Sequence, residues 1–379
     1  MAMQKFDLRE IVKENIKDEL STIGFDEGYS YIAAKKFQYK NIKIYGLTPA
    51  QANIIKQTAL TVGADCATNR EVITGKCELS DAILGGSISQ LEKISDKLKF
   101  QPFSLKILGE KLLEFITKSK RETKLVGILN ITPDSFSDGG KYFNPVDAQH
   151  HLIELIEDGA DMIDIGAEST KPYSEPTSPK EQIKRLKPIF NFIQEEKITI
   201  PISVDTRSSE VADFVLNNGA SIINDVSGLE YDRNMVQIIS KYSAGVIIQH
   251  SKGTPQDMQL NPHYDNVIEE IYNSLYEKIE FAKSFGIKNI ISDVGIGFGK
   301  TREHNFELIN RITEFQGLNT PIMIGISRKK FLGIESDNNE LKDALTLAVS
   351  YPLVTKVDYL RVHNVKLHKS LLNTRLDNC

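Results

Sequence analysis

At 379 residues the chain has room for two domains, or for one large domain with an appendage. Its 40% apolar and 26% charged residues are those of an ordinary globular protein, and a net charge of −5 with no dense basic stripe argues against nucleic acid as the main partner. Three cysteines, Cys66, Cys77 and Cys379, cannot all pair and lack metal-ligand spacing, so a reducing cytoplasm is the expected compartment. The segment Met1–Leu20 is charged throughout, unlike a signal peptide, and no stretch has the apolar length that a bilayer span requires.

Residues 1–120 read as a small α+β appendage. NIKIYGL (41–47) has the pattern of a strand. TPAQANIIKQTALTVG, which follows it, is a helix capped by Thr48 with Pro49 in its first turn. A second strand-helix pair is expected between Glu71 and Leu98, after which QPFSLKILGEKLLEFITK (101–118) leads into the next domain. No site residues cluster in this region, and its expected role is to stabilise the chain or to assemble it, a homodimer included.

From residue 121 to 379 one rhythm repeats: a short apolar run, a polar cluster, a helical pattern. The runs are LVGILNI (125–131), MIDIGA (162–167), ISVD (202–205), SIINDV (221–226), AGVIIQH (244–250), NIISDVG (289–295), PIMIGIS (321–327) and YLRVHNV (359–365). Runs this apolar suit parallel strands buried on both faces. Between them, Val267, Ile271, Leu275 and Ile279 form one apolar helical stripe, and Ile183, Leu186, Ile189 and Ile193 another, with a kink expected at Pro188. Eight strand-helix units over this length predict a (β/α)8 TIM barrel, which typically takes about 250 residues. An open doubly wound sheet is the rival, but no G-x-G-x-x-G turn follows the first strand.

Each run ends in polar residues: Asn130, Glu168, Asp205, Asn224 with Asp225, His250, Asp293, Ser327, and Arg361 with His363. Any one of them alone would be read as a strand cap. Eight together, at the face where barrel enzymes place their sites, predict a functional pocket. TPDSFSDGG (132–140) has the composition of a mobile lid, and STKPYSEPTSP (169–179) carries Thr170 and Lys171 on a proline-stiffened loop. With Asn130, Arg361 and His363 these could hold an anion such as a diphosphate. Asp205, Asn224 and Asp293 offer the acceptors and the amide that a flat aminopyrimidinone edge needs. DVGIGFGKT (293–301) lets backbone approach a ligand, and in GISRKKFLG (325–333) at least one of Arg328 and Lys329 is expected to face the mouth.

GILNITPDSFSDGG (127–140), DIGAESTKP (164–172), SVDTR (203–207), IINDVSG (222–228), DVGIGFGKT, GISRKKFLG and RVHNV (361–365) together resemble the dihydropteroate synthases, in the right order across 121–379. The first of these and the S-R-K motif are the most specific. The resemblance implies transfer of a dihydropterin from its diphosphate to p-aminobenzoate. Asp205, Asn224 and Asp293 would bind the pterin edge, with Lys329 against the ring. Asn130, Thr170, Arg361 and His363 would hold the diphosphate, with Mg2+ near Asn130. Phe136, Pro172, Phe298 and Ser327 would border the p-aminobenzoate pocket. Lys171 stands where the family usually has arginine, Val294 where it has proline, and Gln249 and Ser251 where methionines are common. The rival functions are a pterin-binding methyltransferase and a non-catalytic pterin-binding paralogue. The first should lack TPDSFSDGG and the S-R-K motif, and the second should have lost some of the residues named above.

Overall fold

The computed structural model describes residues 8–12, 15–118, 122–132, 145–168, 176–253, 258–333 and 338–376. The chain divides into two compact units, Met1–Ser119 and Lys120–Cys379.

The first unit begins with two short helices that the sequence patterns did not announce, α1 (Ile16–Thr22) and α2 (Glu27–Ala34). They meet around Leu20, Ala33 and Ala34, too few apolar residues to leave a periodic signal. Then come β1 (Tyr39–Leu47), α3 (Pro49–Leu60), β2 (Asp65–Thr68), β3 (Ser80–Ser87), α4 (Ile88–Leu98) and α5 (Leu105–Thr117). The strands form an antiparallel sheet in the order β1-β3-β2. The helix after β1 starts where its cap residues lie: the Thr48 and Gln51 side chains make a reciprocal capping box with Pro49 at the first turn. Ser87 and Gln90 repeat the device on α4. Ala52, Ile55, Ala59, Leu84, Leu91, Ile94 and Leu98 fill a core of this unit's own.

In the second unit eight parallel strands close into a barrel. They are β4 (Lys124–Asn130), β5 (Met162–Gly166), β6 (Ile202–Asp205), β7 (Ile222–Asp225), β8 (Gly245–Gln249), β9 (Ile290–Asp293), β10 (Ile322–Ile324) and β11 (Tyr359–Val362). The helices between them are α6 (Pro145–Glu157), α7 (Pro179–Glu195), α8 (Ser209–Asn217), α9 (Met235–Lys241), α10 (Val267–Ser284), α11 (Arg302–Asn310) and α12 (Asn339–Ser350), and α13 (Val365–Leu376) follows the last strand. The TIM barrel expected from the sequence is the fold, with its strands a little shorter than the apolar runs. Pro188 lies inside α7. The stripe Val267, Ile271, Leu275 and Ile279 on α10 is buried along its whole length. Among the described residues no helix is long and apolar enough to cross a membrane.

The alternation of side chains along a strand separates two cores. One faces outward to the helices and joins Leu125, Leu129, Ile163, Val204, Ile223, Val246 and Ile248 to the apolar faces of α6 to α11. The other is a small cluster of Val126, Met162, Ile222, Ile247, Ile291 and Met323, with Tyr359 packed against it. These residues plug the barrel interior, and two positions further along the same faces stand Asp164, Asn224, Gln249, Asp293 and Arg361. The period of two thus turns an apolar plug into a polar floor. Leu275 is fully buried against the barrel, so Leu275→Ala should destabilise the second unit by about 2–5 kcal/mol. Denaturant melts followed by a probe in that unit would check this, and a shift under about 1 kcal/mol would mean that α10 is not a main contributor to the core.

Candidate active site at the barrel mouth

The floor is organised by a carboxylate from the middle of β5. Asp164 has no exposed surface. One of its oxygens accepts from the Ser203 hydroxyl on β6. The other accepts from Asn224 Nδ2 at 3.0 Å and from Arg361 Nε at 2.6 Å. A terminal nitrogen of Arg361 also reaches Asp205, at 3.4 Å. One guanidinium therefore faces two carboxylates. Burial pushes the Asp205 carboxyl up to about 7, the Asp164 charge acts in the same direction, and Arg361 opposes them. Asn224 Oδ1 is buried and has no hydrogen-bond partner among the described residues.

A glycine-rich turn after β9 forms one side of the mouth. Asp293 is buried and accepts from the Gly295 N–H at 2.7 Å, and its carboxyl is raised by desolvation. A side chain at Gly295 would lie 1.8 Å from the His250 carbonyl, and one at Gly299 would lie 2.1 Å from that of Lys252. Both glycines have φ near +65°, so they answer a positive φ and a backbone-to-backbone contact at once. Lys300 lies beneath this turn. It donates to the Phe298 carbonyl at 2.9 Å and approaches His250 Nδ1 at 3.1 Å. Burial holds Lys300 well below its ordinary value and His250 down at about 2, so the imidazole is neutral. From the next loop Lys329 donates to the Ile296 carbonyl and stands 4.7 Å above the Phe298 ring. Burial lowers Lys329 to about 8 against the pull of Asp293.

Ser327 closes the opposite side, its hydroxyl 2.9 Å from His363 Nδ1 and accepting from the His363 N–H. Burial and the neighbouring arginines hold His363 neutral, at about 3. Arg328 turns away from the mouth and forms a two-pronged pair with Asp343 at 2.7 and 2.8 Å, so Lys329 is the cation of that run that faces inward. Asn130 ends β4 beside Gly166, where a side chain would sit 3.2 Å from Asn130 Oδ1 and 3.7 Å from Asp205 Cβ. The structure thus brings Asn130, Asp205, Asn224, Asp293, Phe298, Ser327, Lys329, Arg361 and His363 to one end of the barrel. Phe136, Thr170, Lys171 and Pro172 lie outside the described residues.

Three of the strand-end polar residues serve the scaffold. Asp225 accepts from the Ser227 and Leu229 N–H groups, Glu168 pairs with Arg207 at 3.1 Å and accepts from the Thr177 N–H, and His250 supports the glycine turn. Sequence reasoning gave no role to Asp164 or Lys300. The available signal was a charged residue inside an apolar, buried run, which demands a partner. Among the described residues no group of three His, Cys, Asp or Glu side chains could cage a metal. One amide oxygen at Asn130 suits Mg2+, which keeps waters and takes its other oxygens from a phosphate-bearing ligand. In the first unit an open groove of about 520 Å3 is lined by Asn53, Gln57, Lys97, Phe100 and neighbouring residues, with no carboxylate, histidine or cysteine for acid-base or metal work.

Residues 126–363 match the sequence model of the family described as pterin binding enzyme. The chain belongs to that family. The bifunctional dihydropteroate synthase/dihydropteroate reductase of Helicobacter pylori is 34% identical over 367 residues, covering 94% of this chain and 95% of that protein. The dihydropteroate synthase of Clostridium beijerinckii is 41% identical and covers 64% of this chain and 89% of its own. A crystal structure of Clostridium difficile dihydropteroate synthase, obtained in the presence of pteroic acid, superposes with a TM-score of 0.62 at 36% identity, over 67% of this chain and 96% of that one.

In this pterin binding enzyme the raised pKa of Asp205 has a consequence for stability. Its folded value of about 7 lies above the ordinary 3.8, so between these values the folded state keeps a proton that the unfolded chain has released. That stabilisation is complete below the ordinary value and is lost as pH rises through the folded one. Asp205→Asn removes the loss, so its melting temperature should fall less than that of the wild type between about pH 5 and about pH 8. Parallel pH profiles for the two proteins would show that Asp205 ionises normally.

Proposed function

We infer that the chain is a dihydropteroate synthase, a transferase that joins 6-hydroxymethyl-7,8-dihydropterin diphosphate to p-aminobenzoate and releases pyrophosphate. The observation that carries this at the level of the site is the acceptor-rich floor. Among the described residues Asn224 Oδ1 is buried without a partner, and beside the same mouth Asp293 is buried and Asp205 half-buried. A pterin supplies the N–H donors such a floor lacks, and Lys329, lowered to about 8, supplies a donor for the ring's acceptor atoms. Neither rival function is favoured by any feature of the mouth.

In the reaction, the bond between the pterin's exocyclic methylene and the diphosphate oxygen breaks, and the diphosphate leaves with the electron pair. The methylene cation is delocalised into the ring, and the amine nitrogen of p-aminobenzoate attacks it and then loses a proton. Asp205, Asn224 and Asp293 hold the ring in the plane where this delocalisation is possible. Arg361 commits two nitrogens to Asp164 and Asp205, and its Nη1 has no partner among the described residues, so it is placed to meet the diphosphate together with Asn130 and His363. Thr170 and Lys171 belong to the same anion site in this proposal, and Phe136, Pro172, Phe298 and Ser327 to the p-aminobenzoate pocket. Asn130 Oδ1 would hold Mg2+ in this site, and the ion would supply charge neutralisation for the leaving group. A cytoplasmic location fits Cys66 and Cys77, both free thiols.

Asp293→Asn turns one acceptor into a donor that faces the ring's N–H groups, and should weaken a pterin ligand by about 10-fold or more, the usual size for a lost charged hydrogen bond. Calorimetry showing unchanged affinity would remove Asp293 from the site.

One observation favours a second activity on the same chain. The likeness to the bifunctional Helicobacter protein runs through the first unit, whereas the pterin binding family match begins only at residue 126. We propose that the chain also reduces dihydropteroate, taking the hydride from an external donor and a proton from water. Full-length protein incubated with dihydropteroate and a reduced nicotinamide, with and without added flavin, should form tetrahydropteroate. The shorter Clostridium beijerinckii enzyme is the control, and equal inactivity of both would dismiss the second activity.

A further inference from the structure

The floor has a fixed polarity, and its cause lies one residue behind the mouth. Asp164 is an ionisable side chain in the middle of a barrel strand, fully buried, and both its oxygens are occupied by protein donors: Ser203, Asn224 and Arg361. A carboxylate of this kind only accepts hydrogen bonds. Asn224 must therefore turn its NH2 toward Asp164, because the opposite orientation would set its oxygen against carboxylate oxygen. The consequence is Asn224 Oδ1, buried and unpaired among the described residues. A buried unpaired acceptor is costly to the free protein, and a ligand that brings a donor removes that cost.

We propose that Asp164 is a positioning residue that locks the Asn224 amide as a hydrogen-bond acceptor, so that the site selects heterocycles presenting an N–H at that point. The 2-amino-4-oxo edge of a pterin meets this demand. A 2,4-dioxo edge presents carbonyl oxygen to Asn224 Oδ1 and leaves two acceptors facing each other. The proposal rests on the pterin-binding function of the mouth and adds to it the origin of the choice between the two edges. Asp293 contributes to the same choice independently, through its own carboxyl on β9. Asp164→Asn releases the lock, because an amide at 164 offers either a donor or an acceptor and Asn224 becomes free to turn; it also takes a counter-charge from Arg361, which acts on both ligands alike.

The test compares binding of 6-hydroxymethylpterin and 6-hydroxymethyllumazine by calorimetry. Wild-type protein should prefer the pterin by about 100-fold or more, as sites built around a ligand N–H do. In Asp164→Asn the ratio of the two affinities should fall by about 10-fold or more, the residual preference coming from Asp293. A folded Asp164→Asn protein that binds both ligands more weakly but keeps the wild-type ratio overturns the proposal, because a structural role alone lowers both affinities together. Should that variant fail to fold, wild-type protein labelled with 15N-asparagine decides. The Asn224 NH2 protons should already be protected from solvent exchange before pterin is added, and protection appearing only on pterin binding overturns the lock. Binding of neither ligand by the wild type is a separate result, and it overturns the pterin function on which the lock depends.

Discussion

A carboxylate buried inside a barrel has to be neutralised by groups on other strands, and the neutralisation of Asp164 arranges the mouth of this one. Its partners come from β6, β7 and β11, so a single charge fixes the relative positions of side chains contributed by four strands. Arg361 answers Asp164 at 2.6 Å and Asp205 only at 3.4 Å. The deeper carboxylate has the better share of the cation, and Asp205, raised by burial and then by the Asp164 charge, has the poorer share to offset them. Position and polarity at the floor thus follow from one ion pair. Removing one member of a buried pair is far more damaging than never having had it, since the survivor stays charged and unpaired.

The second constraint is steric. The turn after β9 and the loop after β8 meet backbone to backbone, which only glycine permits at 295 and 299. This contact sets the Ile296 carbonyl where Lys329 can donate to it, and the Phe298 ring beneath the ammonium. Lys300 and a neutral His250 hold the turn from behind. The lysine at the mouth and the lysine that supports the turn both have lowered pKa values, but in different settings. Lys329 is at the mouth with Asp293 as counter-charge, whereas Lys300 is satisfied by carbonyls and an imidazole nitrogen.

The sequence carried the barrel well because all its strands but the last are buried on both faces, and such runs stand out from helices with four-residue stripes. It carried the strand-end residues for the same reason, since a polar residue ending an apolar run is conspicuous. It did not carry α1 and α2, whose contact involves three small or isolated apolar residues. Asp164 was hidden differently. It sits inside the run Met162–Gly166, where it passes for one polar exception, and its partner Arg361 is 197 positions away. Pairings of that kind leave no trace in local periodicity. The same limit applies to Arg328 and Lys329: adjacency in the chain could not say that the first binds Asp343 and the second faces the mouth, because that depends on the positive φ of Arg328.

The electrostatics of the free floor suit a reaction that passes through a cation. Asp205 and Asp293 are both held above their ordinary pKa by desolvation, so in the free protein their charged forms are disfavoured. Ring N–H groups bonded to these carboxyls would relieve part of that penalty, and positive charge spreading into the ring would relieve more, since an opposite charge nearby favours the ionised form. Such a floor would interact more strongly with the cationic ring than with the neutral one, which is the differential that lowers a barrier rather than merely tightening binding. The groups responsible stand on strands and on a turn packed against its neighbour, so they need no reorganisation when the charge appears. A floor of neutral amides in the same places could hold the pterin ring, but it would gain little as the diphosphate departs.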